Sequence, residues 1–456
     1  MRPLLWLLRL WPFLLIACAL EPSSVERVRM ASPVRPVRKP LRPVGAPLPP
    51  DVLVIVLDDL GYWNGHYGDP ADPDTPVLDG LAAQGVTFSR CYGAPTCQPA
   101  RMMLNTGHVW VTDAGPAVAL GAHTPKLAEK FLPERMNSAG YVSALFGKWH
   151  LGVAQITGWT PEQAPRSQGY TYWYTGLRAN VNAWYDEQSQ PQEPIDYDYW
   201  WRVEAETGEL RTTFQPDELE DRFLQLYPLA PSPKFTMVCS SAPHAPFDPF
   251  PGCSPFGFPA YWYECMAEHV DASIGAVLSV VDLNTTLVIV CGDNGTPPQV
   301  GGAKAKATCY ERGLRVPLII AGAGVTVAGG TVIDELVSLE DLYATVIAAG
   351  GGTIVTGLHP ITSRDLEPLL TGGAWTPRAH VIAGDNWATS TADGVRCIVT
   401  TDRWKLIQKD TTRDGVADVE ELYDLASDPF EFANVLAVNA ARADAMRATL
   451  EAESIP

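Results

Sequence analysis

Four places in the sequence set acidic, amide, basic or imidazole side chains just after a short apolar run. Val52–Leu57 leads into Asp58-Asp59, and Tyr141–Phe146 into Gly147-Lys148-Trp149-His150. Phe235–Cys239 is followed shortly by Pro243-His244, and Leu287–Cys291 ends in Gly292-Asp293-Asn294-Gly295. Asp58, Asp59, Asp293 and Asn294 are hard oxygen donors suited to Ca2+ or Mg2+. Three carboxylates crowded together without a cation repel one another, and at least one would have to take up a proton. Taken singly, Asp and Asn at strand ends more often serve as turn and cap residues, and a lone Lys or His is more often solvated or packed. Only their convergence would carry chemistry.

The elements around these residues supply that convergence. From Asp51 onward short apolar runs alternate with helix-like stretches, the pattern of an α/β protein with a mostly parallel sheet. In an open α/β sheet ligands bind beyond the carboxyl ends of the strands, so four strand ends bearing Asp, Asn, Lys and His are expected to meet in one polar site. The expected fold is a large, mostly parallel mixed sheet sandwiched by helices, followed by a small C-terminal antiparallel sheet with one helix. Near residue 375 the texture changes: Val395–Val399, Trp404–Gln408 and Glu421–Leu425 read as short strands and Ala437–Ala452 as a terminal helix. The chain is therefore divided into a signal segment (1–20), a Pro/Arg-rich linker (21–50), a catalytic α/β domain (51–374) and an α+β subdomain (375–456).

The chain has 456 residues and a formal net charge of -19, unevenly spread. Residues 1–50 hold eight of the 33 Lys and Arg but two of the 52 Asp and Glu, so the remainder carries a formal charge of -25. Such a body repels nucleic acid and anionic membrane surfaces, and no nucleic-acid partner is expected. Arg2 and the Leu/Trp/Phe-rich stretch to Ile16, interrupted by Arg9 and Pro12, read as an export signal, too short to span a bilayer comfortably. Leu15-Ile16-Ala17-Cys18 also fits the pattern at which lipoproteins are cleaved and acylated on Cys. The expected location is periplasmic or extracellular, with membrane attachment only through a lipid on Cys18. The nine cysteines suggest no disulfide framework, although Cys253 and Cys265 could pair in an exported protein.

Cys97-Gln98-Pro99-Ala100-Arg101, followed after four residues by Thr106-Gly107, matches C-x-P-x-R-x-x-x-x-T-G, the signature of the sulfatase family. The resemblance covers nearly all of residues 51–435. It runs through Asp58-Asp59-Leu60-Gly61-Tyr62, Thr75-Pro76-Val77-Leu78-Asp79, Gly147 to Gly152, Ala242 to Pro246, Asp293-Asn294-Gly295 and Lys306 to Pro317. Glu421 to Leu425, Asp428-Pro429 and Asn434 resemble the family's C-terminal subdomain. Two positions depart from the pattern: Arg312 stands where the family has a glycine, and Pro50-Asp51 replaces the common Arg-Pro-Asn before the first metal strand.

The resemblance implies hydrolysis of a sulfate ester by a formylglycine made from Cys97 by a formylglycine-generating enzyme. As a hydrated aldehyde this residue supplies two hydroxyls: one attacks sulfur to give a covalent sulfo-enzyme, and the other expels sulfate. By the same resemblance Asp58, Asp59, Asp293, Asn294 and residue 97 hold Ca2+, with Mg2+ as the alternative. Arg101 and Lys148 hold the formylglycine hydroxyls and the metal-side oxygens, and His150 deprotonates the second hydroxyl. His244 and Lys306 contact the sulfate, with His244 preferred as the proton donor to the leaving oxygen. Lys306 is preferred to Lys304 because it lies five residues before Glu311, the family's spacing.

His108, His123, His269, His359 and His380 have no motif around them and read as structural. Asp410, Thr412, Asp414, Gly415, Asp418 and Glu421 fall at EF-hand spacing, but between strand-like rather than helical segments, and read as a hairpin loop. Tyr170–Tyr174, Arg178–Tyr185 and Tyr197–Arg202 are rich in Tyr, Trp, Asn and Arg, and suit a sugar ring or aryl group as well as packing under a loop. The substrate is thus a sulfated small molecule or a sulfated sugar. Two other readings stay open: a phosphonate monoester or phosphodiester hydrolase of the same fold, and a non-catalytic binder of sulfated glycans.

Overall fold

The computed structural model describes residues 48–62, 73–109, 130–151, 165, 168–176, 197–201, 209–211, 215–245, 247, 253–254, 256–355, 361–385, 387 and 393–453. The signal segment, Cys18, most of the linker, the loop Arg178–Tyr185, His123 and His359 lie outside the described residues. Of Tyr197–Arg202 the backbone of residues 197–201 is described.

The strands are β1 (Asp51–Leu57), β2 (Val86–Tyr92), β3 (Val142–Lys148), β4 (Tyr172–Gly176), β5 (Tyr197–Trp201), β6 (Glu209–Arg211), β7 (Lys234–Ser240), β8 (Thr286–Gly292), β9 (Arg315–Val316), β10 (Leu318–Gly322), β11 (Thr331–Ser338), β12 (His380–Asp385), β13 (Gly394–Thr400), β14 (Trp404–Asp410) and β15 (Val419–Asp424). Nine of them form one sheet in the order β11-β2-β10-β8-β1-β7-β3-β4, with β9 beside β2. β8, β1, β7, β3 and β4 run parallel, while β10 is antiparallel to both β8 and β2. β5 and β6 make a separate two-stranded ribbon.

A strand buried on both faces needs an unbroken apolar run rather than alternation, and β1 shows why. Val52, Val54 and Val56 point into one core layer, with helices Cys97–Thr106, Leu132–Ser138 and Asp341–Ala349. Leu53, Ile55 and Leu57 point into the other, with helices Pro76–Gln84, Gln215–Leu226 and Pro259–Ser279. β1, β7, β8 and β3 therefore end on one edge of the molecule, carrying Asp58, Ser241, Asp293 and Trp149 as their next residues.

β12-β13-β14-β15 form an antiparallel sheet. Val381, Ala383, Cys397, Val399 and Ile407 on one face pack on Tyr92, Tyr310, Leu314 and Leu336 of the main body. Ile382, Ile398, Leu406 and Leu422 on the other face cover Ala443, Met446 and Leu450 of helix Ala440–Glu453. β12 was not legible as a strand in the sequence. The loop with EF-hand spacing is the β14–β15 hairpin: Asp410 accepts the amides of Asp414 and Gly415, and Asp418 those of Thr411 and Thr412. Backbone donors thus occupy the carboxylates that a cation would need.

One buried charge cluster joins this sheet to the body. Lys405 on β14 is fully buried, 2.6 Å from Glu311 Oε1 and 3.1 Å from Glu431 Oε1, and Tyr92 donates its hydroxyl to Glu311 Oε2 at 3.2 Å. Burial opposes the lysine's charge, but the two carboxylates outweigh it and raise its pKa. Arg315 also approaches Glu311 Oε2, at 3.9 Å, but removing the Lys405 ammonium takes away the cation that the two buried carboxylates share. Lys405→Met is therefore expected to cost about 3–5 kcal/mol, read as a lower urea midpoint at pH 7. A triple variant that also carries Glu311→Gln and Glu431→Gln should recover much of that loss. An unchanged midpoint for Lys405→Met would show that the cluster contributes no stability.

Candidate active site

Cys97 opens helix Cys97–Thr106, and Arg101 follows four positions later, one turn along the same face. That spacing lets both side chains reach the strand ends. Arg101 donates through Nη2 to Asp293 Oδ2 at 3.0 Å and through Nη1 to the Lys148 carbonyl at 2.9 Å. The helix ends on Gly107 with φ 74°, where a Cβ would lie 2.5 Å from the Tyr343 ring. A left-handed, sterically closed position of this kind admits only glycine, which accounts for the Thr-Gly that closes the motif.

After β1 the chain turns sharply at Asp59, whose φ is 65°. Its N–H donates to Asp293 Oδ1 at 3.2 Å and its carbonyl accepts the Tyr263 hydroxyl at 2.9 Å. These bonds hold a conformation that a non-glycine residue rarely adopts. After β8, a Cβ on Gly295 would lie 1.9 Å from the Arg312 carbonyl. This close approach brings the segment with Lys306 against the Asp293-Asn294 turn, where Gly295 N–H donates to Gly313 at 2.9 Å and Lys306 N–H to Thr296 at 2.9 Å. Arg312 itself lies in the helical turn Glu311–Leu314, which needs no glycine, and its guanidinium donates to the Gly301 carbonyl.

The side chains then meet. Cys97 Sγ donates to Asp58 Oδ1 at 3.1 Å and lies 3.4 Å from Lys306 Nζ, 3.6 Å from Lys148 Nζ and 3.9 Å from Asp59 Oδ1. Lys148 Nζ is hydrogen-bonded to Asp58 Oδ2, and Lys306 Nζ to Asp59 Oδ1 at 2.5 Å. His244 accepts no backbone donor at Nδ1. That nitrogen lies 2.6 Å from the Ala245 carbonyl and donates to it, which leaves Nε2 facing Asp59 Oδ2 at 3.6 Å. Lys304 turns away, to the Glu431 carbonyl and the Tyr310 ring. His269 pairs with Asp217 at 2.5 Å and His380 with Glu453 at 2.8 Å, both outside this cluster, and His108 is buried. Tyr263, which orders the Asp59 turn, had no motif to signal it.

The electrostatics follow from burial. Burial pushes the Cys97 thiol well up, reinforced by the Asp58 charge, so the thiol is neutral and a weak nucleophile. Burial also opposes ionisation of Asp58, but the fixed cations around it, Lys148 first and then Arg101 and Lys306, outweigh it and hold its pKa well down. Asp293 is pushed up to about 7 by burial and by Asp58. Burial, with Lys148 and Arg101 beside it, holds His150 well below the usual imidazole range. Burial also lowers His244, with Lys148 adding to it against the pull of Asp58. Three carboxylates thus face three fixed cations, Arg101, Lys148 and Lys306, with both imidazoles neutral.

The donor set fits a hard divalent cation. One ligand atom each from Asp58, Asp59, Cys97 and His244 lies within 4.8 Å of the others. Asn294 donates its Nδ2 to Asp59 Oδ1 at 2.8 Å, which leaves Oδ1 buried without a hydrogen-bond partner. A buried amide oxygen without a donor costs free energy, and a cation would satisfy it while relieving the repulsion that raises Asp293. Asp293 lies at the rim of this group because Oδ2 is engaged by Arg101 and Oδ1 by the amides of Asp59 and Asn294.

A family model described as Sulfatase matches residues 50–352. The N-acetylgalactosamine-6-sulfatase of Canis lupus familiaris is 31% identical over 373 residues, which cover 72% of this chain and 67% of that protein. Among solved structures, that of Ps i-CgsB in complex with k-i-k-neocarrahexaose superposes with a TM-score of 0.71 at 23% identity, over 89% of this chain and 93% of that one. The phosphonate monoester hydrolase of Silicibacter pomeroyi follows at 0.66 and 20%, over 88% and 94%. These two likenesses bear on the fold, whereas the family match and the animal relative bear on kinship. The chain belongs to the sulfatase family, enzymes that hydrolyse sulfate esters.

Proposed function

We propose that this chain hydrolyses the sulfate ester of a sulfated sugar or other small molecule, through a formylglycine made from Cys97 and a covalent sulfo-enzyme, with Ca2+ or Mg2+ held by Asp58, Asp59, Asp293, Asn294 and residue 97. The observation that carries this reading is the place of Cys97 Sγ, within 3.1–3.6 Å of Asp58, Lys306 and Lys148. A neutral buried thiol there is chemically idle, whereas a hydrated aldehyde on the same carbon offers two hydroxyls, one to attack sulfur and one to expel sulfate. The cation would supply Lewis acidity toward the sulfuryl oxygens and favour ionisation of the attacking hydroxyl.

The chain's own residues do the rest. Lys148 and Arg101 neutralise charge on the nucleophile side. His150, neutral at pH 7 and with a buried, unpartnered Nδ1, accepts the proton of the second hydroxyl. Lys306 and His244 face the sulfuryl group, and His244 Nε2 delivers a proton to the leaving oxygen. A bound anion raises the proton affinity of that imidazole, which restores the acid form when it is needed. Charge balance fits as well: with the cation bound and Asp293 fully ionised beside it, the three carboxylates and three fixed cations would cancel, and the divalent charge would leave a surplus matched to a monoanionic ester and an ionised hydroxyl.

The N-terminal segment and the bonded pair Cys253–Cys265 support export to an oxidising compartment, with attachment through Cys18 as a further element of the proposal. Comparing turnover of 4-nitrophenyl sulfate with that of a phenylphosphonate ester on one preparation tests the reaction class. We expect the sulfate to react faster, and faster phosphonate cleavage would overturn the reading. A non-catalytic binder has no need of the complete set Cys97, Arg101, Lys148, His150, His244 and Lys306.

A further inference from the structure

A small cavity, of about 10 Å³, lies in the core layer that backs Arg101 and Lys148, between helix Cys97–Thr106, strands β3 and β7, and Trp149. We propose that it holds one water molecule, which accepts hydrogen bonds from Arg101 Nε and Trp149 Nε1 and donates one to Asn105 Oδ1. Through that water, Asn105 and Trp149 position the Arg101 guanidinium. The positioning role rests on the function proposed above, whereas the water site stands without it.

The first support is a set of orphaned polar atoms. Arg101 Nε, Asn105 Oδ1 and Trp149 Nε1 are buried without a hydrogen-bond partner among the described residues, and all three side chains line this one cavity. Each residue is 3% exposed, so bulk solvent does not satisfy them. A buried donor or acceptor left unpaired costs its full desolvation penalty, and such atoms are uncommon in folded proteins. The Cys239 thiol, also in the wall, meets the guanidinium, but a thiol sulfur is a weak acceptor.

The second is that none of the three is at liberty to turn elsewhere. Arg101 is held by Asp293 at 3.0 Å and by the Lys148 carbonyl at 2.9 Å. Asn105 donates its Nδ2 to the Arg101 carbonyl at 2.8 Å, which fixes the amide with Oδ1 as the remaining acceptor. The Trp149 ring packs against Phe131 and Tyr170, with centroids 6.1 Å and 6.0 Å away.

The third is selectivity. The volume is about what one water requires. Two N–H donors refuse a cation, and the amide oxygen refuses an anion. A neutral molecule with both lone pairs and a hydrogen to donate satisfies all three atoms. The consequence reaches the reacting centre: a guanidinium held at its two terminal nitrogens can tilt, and a bond at Nε fixes its plane.

The test begins with a crystal structure of the metal-loaded protein at about 1.5 Å resolution. One ordered water within about 3.2 Å of all three atoms is the expected result. A dry cavity, or protein partners on these atoms, would overturn the proposal. Asn105→Leu removes the acceptor, and should lower kcat on 4-nitrophenyl sulfate about 10-fold with KM within about twofold of wild type. Asn105→Asp keeps an oxygen at the same place and should recover most of that loss. Wild-type kcat in Asn105→Leu, or an equal fall in both variants, would overturn the positioning role. If Asn105→Leu does not fold, the crystal structure and the kcat of Asn105→Asp still decide, and an aspartate variant that folds but falls 10-fold would count against it. Wild type that turns over no sulfate ester would instead refute the proposed function, with the water site still decided by the crystal structure.

Discussion

Replacing Cys97 by serine is expected to lower kcat on 4-nitrophenyl sulfate by at least about 10⁴-fold, equivalent to some 5.5 kcal/mol of barrier. Serine fits the space beside Asp58, Lys148 and Lys306 and keeps one hydroxyl. It lacks the second hydroxyl on the same carbon, so any sulfuryl group it accepts has no partner to release it. Mass spectrometry of the variant after incubation with substrate should therefore find sulfated protein at position 97, whereas Cys97→Ala should show neither turnover nor label. The companion measurement is the mass of the tryptic peptide Cys91–Arg101 from wild type made alongside a formylglycine-generating enzyme. An aldehyde or its hydrate at Cys97 is the expected form. Unmodified thiol in an active preparation, or a serine variant with more than a hundredth of wild-type kcat, would refute the proposed nucleophile.

The second large effect concerns the cation. Dialysis against a chelator should abolish turnover, and Ca2+ or Mg2+ should restore it. In wild type the added ion should also raise the melting temperature, since a ligand at 100 times its Kd stabilises the fold by about 2.7 kcal/mol. Asp59→Ala should lose both responses and more than about 10³-fold in kcat. Without added ion it should melt somewhat lower than wild type, because Lys306 and the Asn294 amide lose the carboxylate oxygen they bond. A variant that still shows the wild-type thermal shift would place the ion elsewhere, and chelator-resistant turnover would remove it from the mechanism.

The sequence made the site more legible than the frame behind it. Strand ends could be read because β1, β3, β7 and β8 are buried on both faces and so appear as unbroken apolar runs. The residues just beyond them were then candidates on topology alone. The Cys97–Arg101 spacing was readable because a four-residue step keeps two side chains on one helix face. What escaped notice works through long-range contact. β12, His380–Asp385, is a strand because it pairs with β13 and covers Tyr92 and Leu336, and its apolar run is only Val381-Ile382-Ala383, too short to mark a strand by itself. Tyr263 orders the Asp59 turn from 204 positions away, and nothing local marks it. Lys405 likewise reads as one polar residue in an amphipathic strand until Glu311 and Glu431 come to it.

The bond between Thr96 and Asp385 has a consequence in time. Thr96 directly precedes the nucleophile, and its hydroxyl donates at 2.5 Å to a carboxylate 289 positions downstream. At roughly 5–20 residues per second of synthesis, tens of seconds separate the appearance of one partner from that of the other. Throughout that interval Thr96 lacks the carboxylate that later holds it beside Cys97. In the finished fold Cys97 is 2% exposed, too enclosed for a second protein to reach its Cβ. If Cys97 is converted as proposed, the enzyme that converts it would have to act on the growing or newly released chain, before this region closes.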